Sequence, residues 1–467
     1  MINKKQAIEI LNAGLATGSD YAEIFIEEKE SETVSIENGK VEQDLVSHTY
    51  GAGIRLLNKL QSVYGYTNDV TKKGLLELAN NLSKSFNDER VLTIEQLKTK
   101  KVRNLHKRER LSKDVSTKEK VDYLKVGDKV MADFDEKIIR TRSSYSSTYT
   151  KVTIFSSKGY MFKDEKERGR LVLFCLGVEG EKIENGFEAK GTSGGFEYFL
   201  NKVDIKDLAL EAAKQTVTML GAKECPSGRM TVVIGNGDGG VIFHEACGHA
   251  LEASAVSRNL SVFANKEGQQ IASSIVNAVD DGTIPNEWGS NNIDDEGNKT
   301  EKTVLIKNGI LQNYLIDDFN GRRMNKKGNG ACRRQSYKFE PTSRMSNTYI
   351  MPGKSTPEEI IAATKLGLYA KSLSGGSVNP VTGEFNFGCS EAYIIRDGKI
   401  AEPVRGASLI GSGAEVLMNI DMIGNDLEMS QGMCGAASGS VPVDIGQPTI
   451  RVQNILVGGN GGELKWN

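Results

Sequence analysis

The sequence lacks any apolar run approaching the roughly 18 residues that a membrane-spanning helix needs. It also lacks a strong net charge, because 59 lysines and arginines balance 61 aspartates and glutamates. Charge therefore supports neither nucleic-acid binding nor attachment to an anionic membrane. The first residues, MINKKQAIEILNAG, have no continuous apolar core, so we do not expect them to be a signal peptide.

Cysteine is sparse, and its pattern excludes a dense disulfide framework. None of the six cysteines forms a C-x-x-C pair: they are Cys175, Cys225, Cys247, Cys332, Cys389 and Cys434. In a chain of 467 residues, such scattered thiols are typical of a protein from a reducing compartment. We therefore expect a cytoplasmic protein whose cysteines are reduced.

The length allows two or three domains, and the pattern of elements predicts an α+β fold. We expect an N-terminal α+β domain with an antiparallel sheet over residues 1–225, including a polar linker at about 88–117. The boundary falls at Cys-Pro-Ser-Gly, 225–228. Residues 226–467 then form a mainly antiparallel β domain that carries one important helix. Asn38-Gly39 predicts a tight hairpin turn in the first domain.

That important helix contains HEACGH (244–249), which holds two of the four histidines in the chain. Neutral imidazole is a common zinc ligand. A carboxylate beside a zinc-bound water can take its proton and create a nucleophile near neutral pH. The motif therefore indicates a metal site, with His244 and His249 as ligands and Glu245 as the general base.

The two histidines are at positions i and i+5, whereas those of the commoner H-E-x-x-H are at i and i+4. On an ideal α-helix this spacing turns them about 140° apart, against about 40° for a spacing of four. A π-helical turn would bring both to one side, and Gly248 would ease the distortion through its backbone freedom. We predict a helix over about 238–257 with a widened turn or break near 245–249. The alternative is two surface histidines on an ordinary helix.

Catalytic zinc usually has three protein ligands and a water, so the motif lacks one ligand. Glu252 lies within helical reach of the face that carries His249. Cys247 cannot readily converge with both histidines. Cys434 lies in the glycine-flanked segment QGMCG, which could approach a metal closely. The residues alone leave Glu252, Cys434 and a carboxylate supplied by the fold as candidates.

Two other motifs have simpler interpretations. Gly235, Gly237 and Gly240 match the G-x-G-x-x-G dinucleotide fingerprint, but the acidic residue expected about 20 residues later is absent. We interpret these glycines as a close-packed entry to the metal helix. The basic segment 98–110 has no interleaved aromatic residues for base stacking. We expect a solvated linker there and no nucleic-acid contact.

Five longer motifs resemble the TldD/PmbA family of metallopeptidases, and the similarity runs from about residue 20 to the C-terminus. They are HEACGHALEAS (244–254), NEWGSNNIDDEG (286–297), ACRRQSYKFEPTSRMSNTYIMPG (331–353), GGSVNPVTGEFNFGCSEAY (375–393) and CGAASGSVPVDIGQPTIRVQNILVGG (434–459). The chain resembles the metal-bearing, TldD-like branch, because it keeps the whole metal motif. It departs from the family pattern at Ala253-Ser254, where other members carry Gly-Asp; this affects only contacts at the helix end.

The resemblance implies that His244, His249 and Cys434 bind zinc and that Glu245 is the catalytic base. It also implies a cytoplasmic dimer around a central cavity, either a homodimer or a heterodimer with a metal-less paralogue. The implied substrates are peptides or unfolded proteins, including ribosomally made peptide precursors and antitoxins. We therefore expect a zinc-dependent peptidase in which Glu245 takes a proton from water and passes it to the leaving amine.

Two supporting roles have candidate residues. Arg333, Arg334 and Tyr337 are candidate hydrogen-bond donors to the oxyanion. Glu252 and Asp238 are candidate acceptors that would orient the two histidines.

The alternative function is a non-enzymatic binding module that modulates a DNA-associated target through segment 98–110, with a structural metal. Structural zinc is normally closed by four protein ligands, so an open coordination position would favour the enzyme.

Overall fold

The computed structural model describes residues 2–379 and 382–464; Pro380 and Val381 of the motif 375–393 lie outside these ranges. The α-helices of the described residues are α1 (Lys4–Gly14), α2 (Lys72–Ser83), α3 (Thr117–Ala132), α4 (Glu197–Asn201), α5 (Ile205–Gly221), α6 (Val241–Phe243), α7 (Ala253–Val256), α8 (Asp318–Met324), α9 (Pro357–Ala362) and α10 (Gly413–Met418). Within these ranges, no helix is long and apolar enough to cross a membrane.

The strands fall into an N-terminal and a C-terminal set. The first set is β1 (Tyr21–Glu37), β2 (Lys40–Asn58), β3 (Gln61–Thr67), β4 (Lys98–Lys100), β5 (Ile138–Ser156), β6 (Tyr160–Glu179) and β7 (Lys182–Thr192). The second set is β8 (Lys223–Glu224), β9 (Gly228–Ile234), β10 (Ala278–Asp281), β11 (Lys302–Lys307), β12 (Ile310–Leu311), β13 (Cys332–Arg333), β14 (Thr342–Ser343), β15 (Asn347–Ile350), β16 (Leu366–Val378), β17 (Glu384–Arg396), β18 (Lys399–Arg405), β19 (Ser408–Ser412), β20 (Ile420–Ile423), β21 (Glu428–Ala436), β22 (Gly439–Gln447) and β23 (Ile450–Gly458).

The N-terminal strands form one seven-stranded sheet in the order β3-β2-β1-β5-β6-β4, with β7 also paired to β6. All pairs are antiparallel except β4 with β6. Asn38 and Gly39 form the predicted turn, with φ of 47° and 76°. Strands β1 and β2, which flank this turn, are long, at 17 and 19 residues. Because β1 pairs with β2 and β5 along most of its length, its polar middle stays within the sheet.

The linker predicted at 88–117 is not solvated throughout. Its strand β4 extends the N-terminal sheet, and His106 and Ser112 are buried. The His106 imidazole accepts a hydrogen bond from the Asn286 amide at 3.1 Å. The Ser112 hydroxyl lies 2.6 Å from the Tyr145 hydroxyl. Tertiary partners for these polar groups, which the local composition does not reveal, hold the segment against the protein.

The C-terminal strands form two larger sheets and a small β13–β14 pair. One sheet has the order β12-β11-β10-β15-β22-β21. The other has the order β16-β9-β23-β19-β17-β18-β8, with β20 on β23, and a further β16–β17 pairing closes a ring of strands. Most pairs are antiparallel, and the parallel ones are β9–β16, β15–β22 and β8–β18. These sheets confirm the predicted α+β class.

The metal motif lies in the hydrophobic core shared by these two sheets. Ile242, Phe243 and Leu251 of the helical segment pack in one cluster with Val232 from β9 and Val443 from β22. Burial on two sides fixes the segment in place. The fold therefore delivers β21 and β22 to the face of the helix that carries the histidines.

Candidate metal centre

The helical segment that carries the metal motif changes its winding several times. A 3₁₀ turn at Gly237–Gly240 leads into α6, a π-helical turn spans His244–Gly248, and a second 3₁₀ turn covers His249–Leu251. The π-turn brings the two histidine rings to a centroid separation of 5.1 Å. The helix ends before the predicted residue 257, because Glu252 is extended and bridges to Leu315. The short helix α7 follows this break.

Gly248 serves a different purpose from the one expected. Its φ of −55° and ψ of −53° are ordinary helical values, so its backbone freedom is not used. A Cβ at this position would lie 2.1 Å from the sulfur of Met345. The glycine is needed because the motif packs closely against Met345.

The glycines of the turn before the helix allow neighbouring backbone segments to pack closely against it. A Cβ on Gly235 would lie 2.3 Å from the carbonyl oxygen of Lys371, and one on Gly240 would lie 2.9 Å from the backbone of Gly446. Gly237 has a φ of 61°, which L side chains rarely adopt. These contacts match the structural interpretation of the G-x-G-x-x-G match.

The two histidines and Cys434 converge in the fold. The Cys434 sulfur on β21 lies 3.2 Å from His244 Nε2 and 3.2 Å from His249 Nε2. All three potential ligand atoms lie within 4.8 Å of one another. Glu252 instead approaches the other ring nitrogen of His249, and Cys247 is buried in the hydrophobic core. Among the candidates for a third ligand, Cys434 therefore has the geometry of one.

Glu245 lies at the open side of this cluster. His244 and Cys434 are 2 % and 4 % exposed, whereas the Glu245 side chain is 30 % exposed. A Glu245 carboxylate oxygen lies 3.7 Å from His249 Nε2, so it is close to the point at which the ligand atoms meet. Burial raises the pKa of Glu245 above its usual value. The arrangement is a buried N/N/S cluster with a carboxylate between it and solvent.

The two histidines have different electrostatic surroundings. Burial lowers the pKa of His244 well below its usual value, and His249 and Arg344 lower it further, so this imidazole is neutral. Burial also lowers the pKa of His249, but Glu252 and Cys434 outweigh this effect and hold it well above its usual value. His249 Nδ1 lies 3.2 Å from a Glu252 carboxylate oxygen. A carboxylate on the outer ring nitrogen is typical of metal-binding histidines.

Sequence reasoning did not assign a role to Arg344. This fully buried side chain donates hydrogen bonds to the carbonyl oxygens of Cys434, at 2.5 Å, and Gly439, at 2.7 Å. Its Nε lies 3.7 Å from Glu252. The only signal in the sequence was the position of this arginine within the motif 331–353.

The other proposed supporting residues have different partners. Asp238 accepts a hydrogen bond from the Ser430 hydroxyl. Arg333 donates to the carbonyl oxygens of Met345 and Pro442, and Arg334 donates to Glu23 and to the Asp295 carbonyl. Tyr337, the third oxyanion candidate, is buried, and its backbone amide donates a hydrogen bond to Glu27 of β1. The hydrogen bonds of these two arginines and of Tyr337 hold the motif 331–353 in the fold and connect it to the N-terminal sheet.

The described residues contain a second group of potential ligands that the sequence did not suggest. Glu296, Asp317 and Cys332 are all buried, and their ligand atoms lie within 4.8 Å of one another. The Glu296 carboxylate already accepts hydrogen bonds from Arg55, at 2.6 Å, and from the Asp318 amide, at 2.8 Å. Asp317 caps α8, and its carboxylate accepts hydrogen bonds from Asn320. This second cluster is therefore hydrogen-bonded without a metal.

Comparison with known proteins assigns the chain to a family. Residues 22–85, 110–220 and 227–459 match the first, central and C-terminal domains of the PmbA/TldA metallopeptidases. The chain belongs to the PmbA/TldD family of metallopeptidases. It is 35% identical to a metalloprotease TldD homolog of Buchnera aphidicola, over 98% of this chain and 96% of that protein. A Saccharolobus solfataricus relative, 27% identical over 95% of this chain and 97% of its own length, is named a zinc metalloprotease.

Solved structures share the fold. A Thermotoga maritima protein with a proposed role as a modulator of DNA gyrase superimposes with a TM-score of 0.78, at 20% identity, over 94% of this chain and 96% of its own. TldE of Thermococcus kodakarensis superimposes with a TM-score of 0.77, at 18% identity, over 97% of this chain and 99% of its own. At these identities, the similarity establishes the fold alone.

Proposed function

We propose that this protein is a zinc-dependent peptidase that hydrolyses flexible or unfolded peptides. The observation that carries the proposal is the convergence of His244, His249 and Cys434, with Glu245 at the open side of the cluster. Membership of a metallopeptidase family, and the name of the Saccharolobus solfataricus relative, support the same function.

The residues of the cluster fit zinc. Two imidazole nitrogens and one thiolate form the N/S ligand set that zinc prefers. The buried sulfur of Cys434 lies equally close to both Nε2 atoms, so the three side chains already face one point. Three protein ligands leave one coordination position open, as in catalytic rather than structural zinc sites. His244, His249 and Cys434 would hold the metal.

When bound, the metal would lower the pKa of a water molecule and polarise the carbonyl of the scissile peptide bond. Glu245 takes the proton from the attacking water and delivers it to the nitrogen of the leaving amine. Its partial exposure beside buried ligands lets it reach both the water and the substrate. Glu252 holds the outer nitrogen of His249 and keeps the ring oriented.

Flexible peptides suit this site because its sulfur ligand lies on an edge strand. Strand β21, which carries Cys434, ends the order of its six-stranded sheet. An extended peptide that docks on a sheet edge is held mainly by main-chain hydrogen bonds, so varied side chains are tolerated. Most strands of a folded protein are already paired, so flexible segments supply such a strand more readily. We therefore place unfolded segments and flexible peptides in the substrate class.

The proposal also includes a cytoplasmic dimer, formed with an identical chain or with a metal-less paralogue. Its cysteines are free thiols in the described residues, which suits a reducing compartment. TldE of Thermococcus kodakarensis, a protein of a different name, has the same fold, as a paralogous second subunit would. Light scattering of the purified protein, alone and with a candidate paralogue, would separate the two assemblies.

Substitution of the proposed base is the direct test of the function. The Glu245→Gln variant is expected to retain zinc, because Glu245 is not a ligand, but to lower kcat on an unstructured fluorogenic peptide by about 100-fold or more. Zinc content is measured on the same preparation. Cleavage by this variant at the wild-type rate would refute the assignment of the base, and zinc-loaded wild type that cleaves no unstructured peptide would refute the peptidase.

A further inference from the structure

The proposed metal centre is assembled from two distant parts of the chain. His244 and His249 come from one helical segment, whereas Cys434 lies 185 residues beyond His249 on strand β21. Metal binding requires both parts to be held within a few tenths of an ångström of a productive arrangement. A connection between the two parts would serve this purpose, and one buried side chain contacts both.

Arg344 binds the strand part through both terminal nitrogens. Nη2 donates a hydrogen bond to the Cys434 carbonyl at 2.5 Å. Nη1 donates to the Gly439 carbonyl at 2.7 Å and to the Ser438 hydroxyl at 3.0 Å. These acceptors lie on β21, on β22 and in the turn between them. The planar guanidinium therefore fixes the backbone that carries the sulfur ligand.

The same guanidinium approaches the helical part through Glu252. Its Nε lies 3.7 Å from a Glu252 carboxylate oxygen, and the same oxygen lies 3.2 Å from His249 Nδ1. Glu252 is only 4 % exposed, so its charge is costly unless cations lie nearby. The Arg344 guanidinium and the His249 imidazole lie beside this carboxylate and offset that cost. A hydrogen bond links the Cys434 carbonyl to Arg344, and ion-pair contacts then link Arg344 to Glu252 and Glu252 to the outer nitrogen of His249.

We propose that Arg344 is a positioning residue that, with Glu252, sets His249 and Cys434 at metal-binding separation. This inference rests on the proposed function, since it assumes that these side chains bind zinc. It adds that the two parts are coupled: a shift of the β21–β22 hairpin changes the support of His249, and loss of Glu252 changes the support of the hairpin. Neither Arg344 nor Glu252 contacts the substrate in this account.

The test is zinc affinity, measured by competition with a chromophoric chelator on the full-length apoprotein. Removal of outer-sphere partners typically weakens metal binding about 10-fold to 100-fold. We expect losses in this range for Arg344→Lys, which keeps the charge but not the fork of donors, and for Glu252→Gln. The double variant, Arg344→Lys with Glu252→Gln, should have the zinc affinity of whichever single variant binds zinc less tightly, because both substitutions interrupt the same series of contacts.

Arg55→Lys is the matched control. Arg55 is also a fully buried arginine, but its guanidinium donates to Glu23 and Glu296, which lie on neither the metal helix nor the β21–β22 hairpin. Its substitution disturbs a buried guanidinium in the same way but leaves Arg344, Glu252 and the hairpin in place. We expect its zinc affinity to stay close to that of the wild type. Thermal unfolding of each apoprotein separates loss of the fold from loss of the site.

The outcomes are distinct. Wild-type zinc affinity in folded Arg344→Lys would overturn the inference, as would equal losses in Arg344→Lys and Arg55→Lys or fully additive losses in the double variant. If Arg344→Lys does not fold, Glu252→Gln decides, and unchanged affinity in that variant overturns the inference. Absence of zinc binding by the wild type would overturn the proposed function itself.

Discussion

Two clusters of potential metal ligands lie in the part of the chain that the structure describes, and they differ in what else their ligand atoms contact. In the first, His244, His249 and Cys434 face one another, and a partly exposed carboxylate lies beside them. In the second, Glu296 and Asp317 lie beside Cys332, but both carboxylates already accept hydrogen bonds from protein groups. In both clusters the ligand atoms lie within 4.8 Å of one another.

Proximity alone therefore does not define a metal site. Burial raises the pKa of Cys332 well above its usual value, and Glu296, Asp317 and Asp294 raise it further, so this thiol stays protonated. Metals bind the thiolate. His244 is kept in the neutral form, which is the form that binds metals. Burial lowers the pKa of His249, but Glu252 and Cys434 raise it above its usual value, so this imidazole has to release a proton when a metal binds. The lesson is that the protons and hydrogen bonds that a metal has to displace, and not proximity alone, distinguish a metal centre from a hydrogen-bonded acidic cluster.

The largest expected contrast is in catalysis. His249→Ala should lower kcat/KM by about 1,000-fold or more, because a catalytic metal supplies several kcal/mol of transition-state stabilisation. Asp317→Asn should leave kcat/KM near the wild-type value, because asparagine caps a helix about as well as aspartate. Both variants are assayed on the same unstructured peptide. Equal losses of kcat/KM in the two variants would contradict the assignment of the first cluster alone as the catalytic metal centre.

The two cysteines should also differ in reactivity. After removal of zinc by a chelator, Cys434 should be alkylated by iodoacetamide much faster than Cys332, whose raised pKa leaves little thiolate. Zinc added before the reagent should protect Cys434 and leave the labelling of Cys332 unchanged. Peptide mapping by mass spectrometry measures both sites in one sample. Faster labelling of Cys332 in the folded apoprotein would contradict this comparison.

Glu296 of the second cluster should make the free energy of unfolding depend on pH. Burial raises the pKa of Glu296 from 4.5 to about 7. Because the folded-state pKa is raised, its stabilising contribution is complete below about pH 4.5 and is lost as the pH rises through about 7. Relative to Glu296→Gln, wild-type apoprotein should lose stability over this interval, by at most on the order of 3 kcal/mol. Urea unfolding at pH 5 and pH 8 checks this, and a constant difference between the two proteins would contradict it.

The smallest effect is expected for the basic segment 98–110. Lys100, Lys101 and Arg103 line a cleft of about 580 Å³ that also includes Glu296. The Lys100 ammonium lies 4.1 Å from the centre of the Tyr160 ring. Changing Lys98, Lys100, Lys101 and Arg103 to glutamine should leave zinc content and peptidase activity unchanged. Loss of a salt-sensitive DNA affinity, measured by fluorescence anisotropy, would instead favour the binding-module function.

The sequence predicted those features that depend on neighbouring residues. The five-residue spacing of His244 and His249 called for a widened helical turn, and the structure has a π-turn at this place. Asn38-Gly39 gave the hairpin, because both residues accept positive φ. The class of the fold followed from strand alternation. These features are fixed by local geometry, which the sequence reveals directly.

Features that depend on distant contacts were not accessible from the residues alone. The residues alone leave the third ligand open among Glu252, Cys434 and a carboxylate supplied by the fold, because β21 meets the helix only in the folded chain. Arg344 gave no local signal of its contact with Glu252. The end of the helix at Leu251 depends on a bridge between Glu252 and Leu315. Tertiary pairing overrides local pattern in each case.

The most direct measurement of the central claim is zinc content by elemental mass spectrometry of the wild type, Cys434→Ser and Cys332→Ser, purified side by side. The account predicts about one zinc per chain in the wild type and in Cys332→Ser, and a sharp loss in Cys434→Ser, because only Cys434 completes a site of three protein ligands. Undiminished zinc in Cys434→Ser, or a loss confined to Cys332→Ser, would contradict the account.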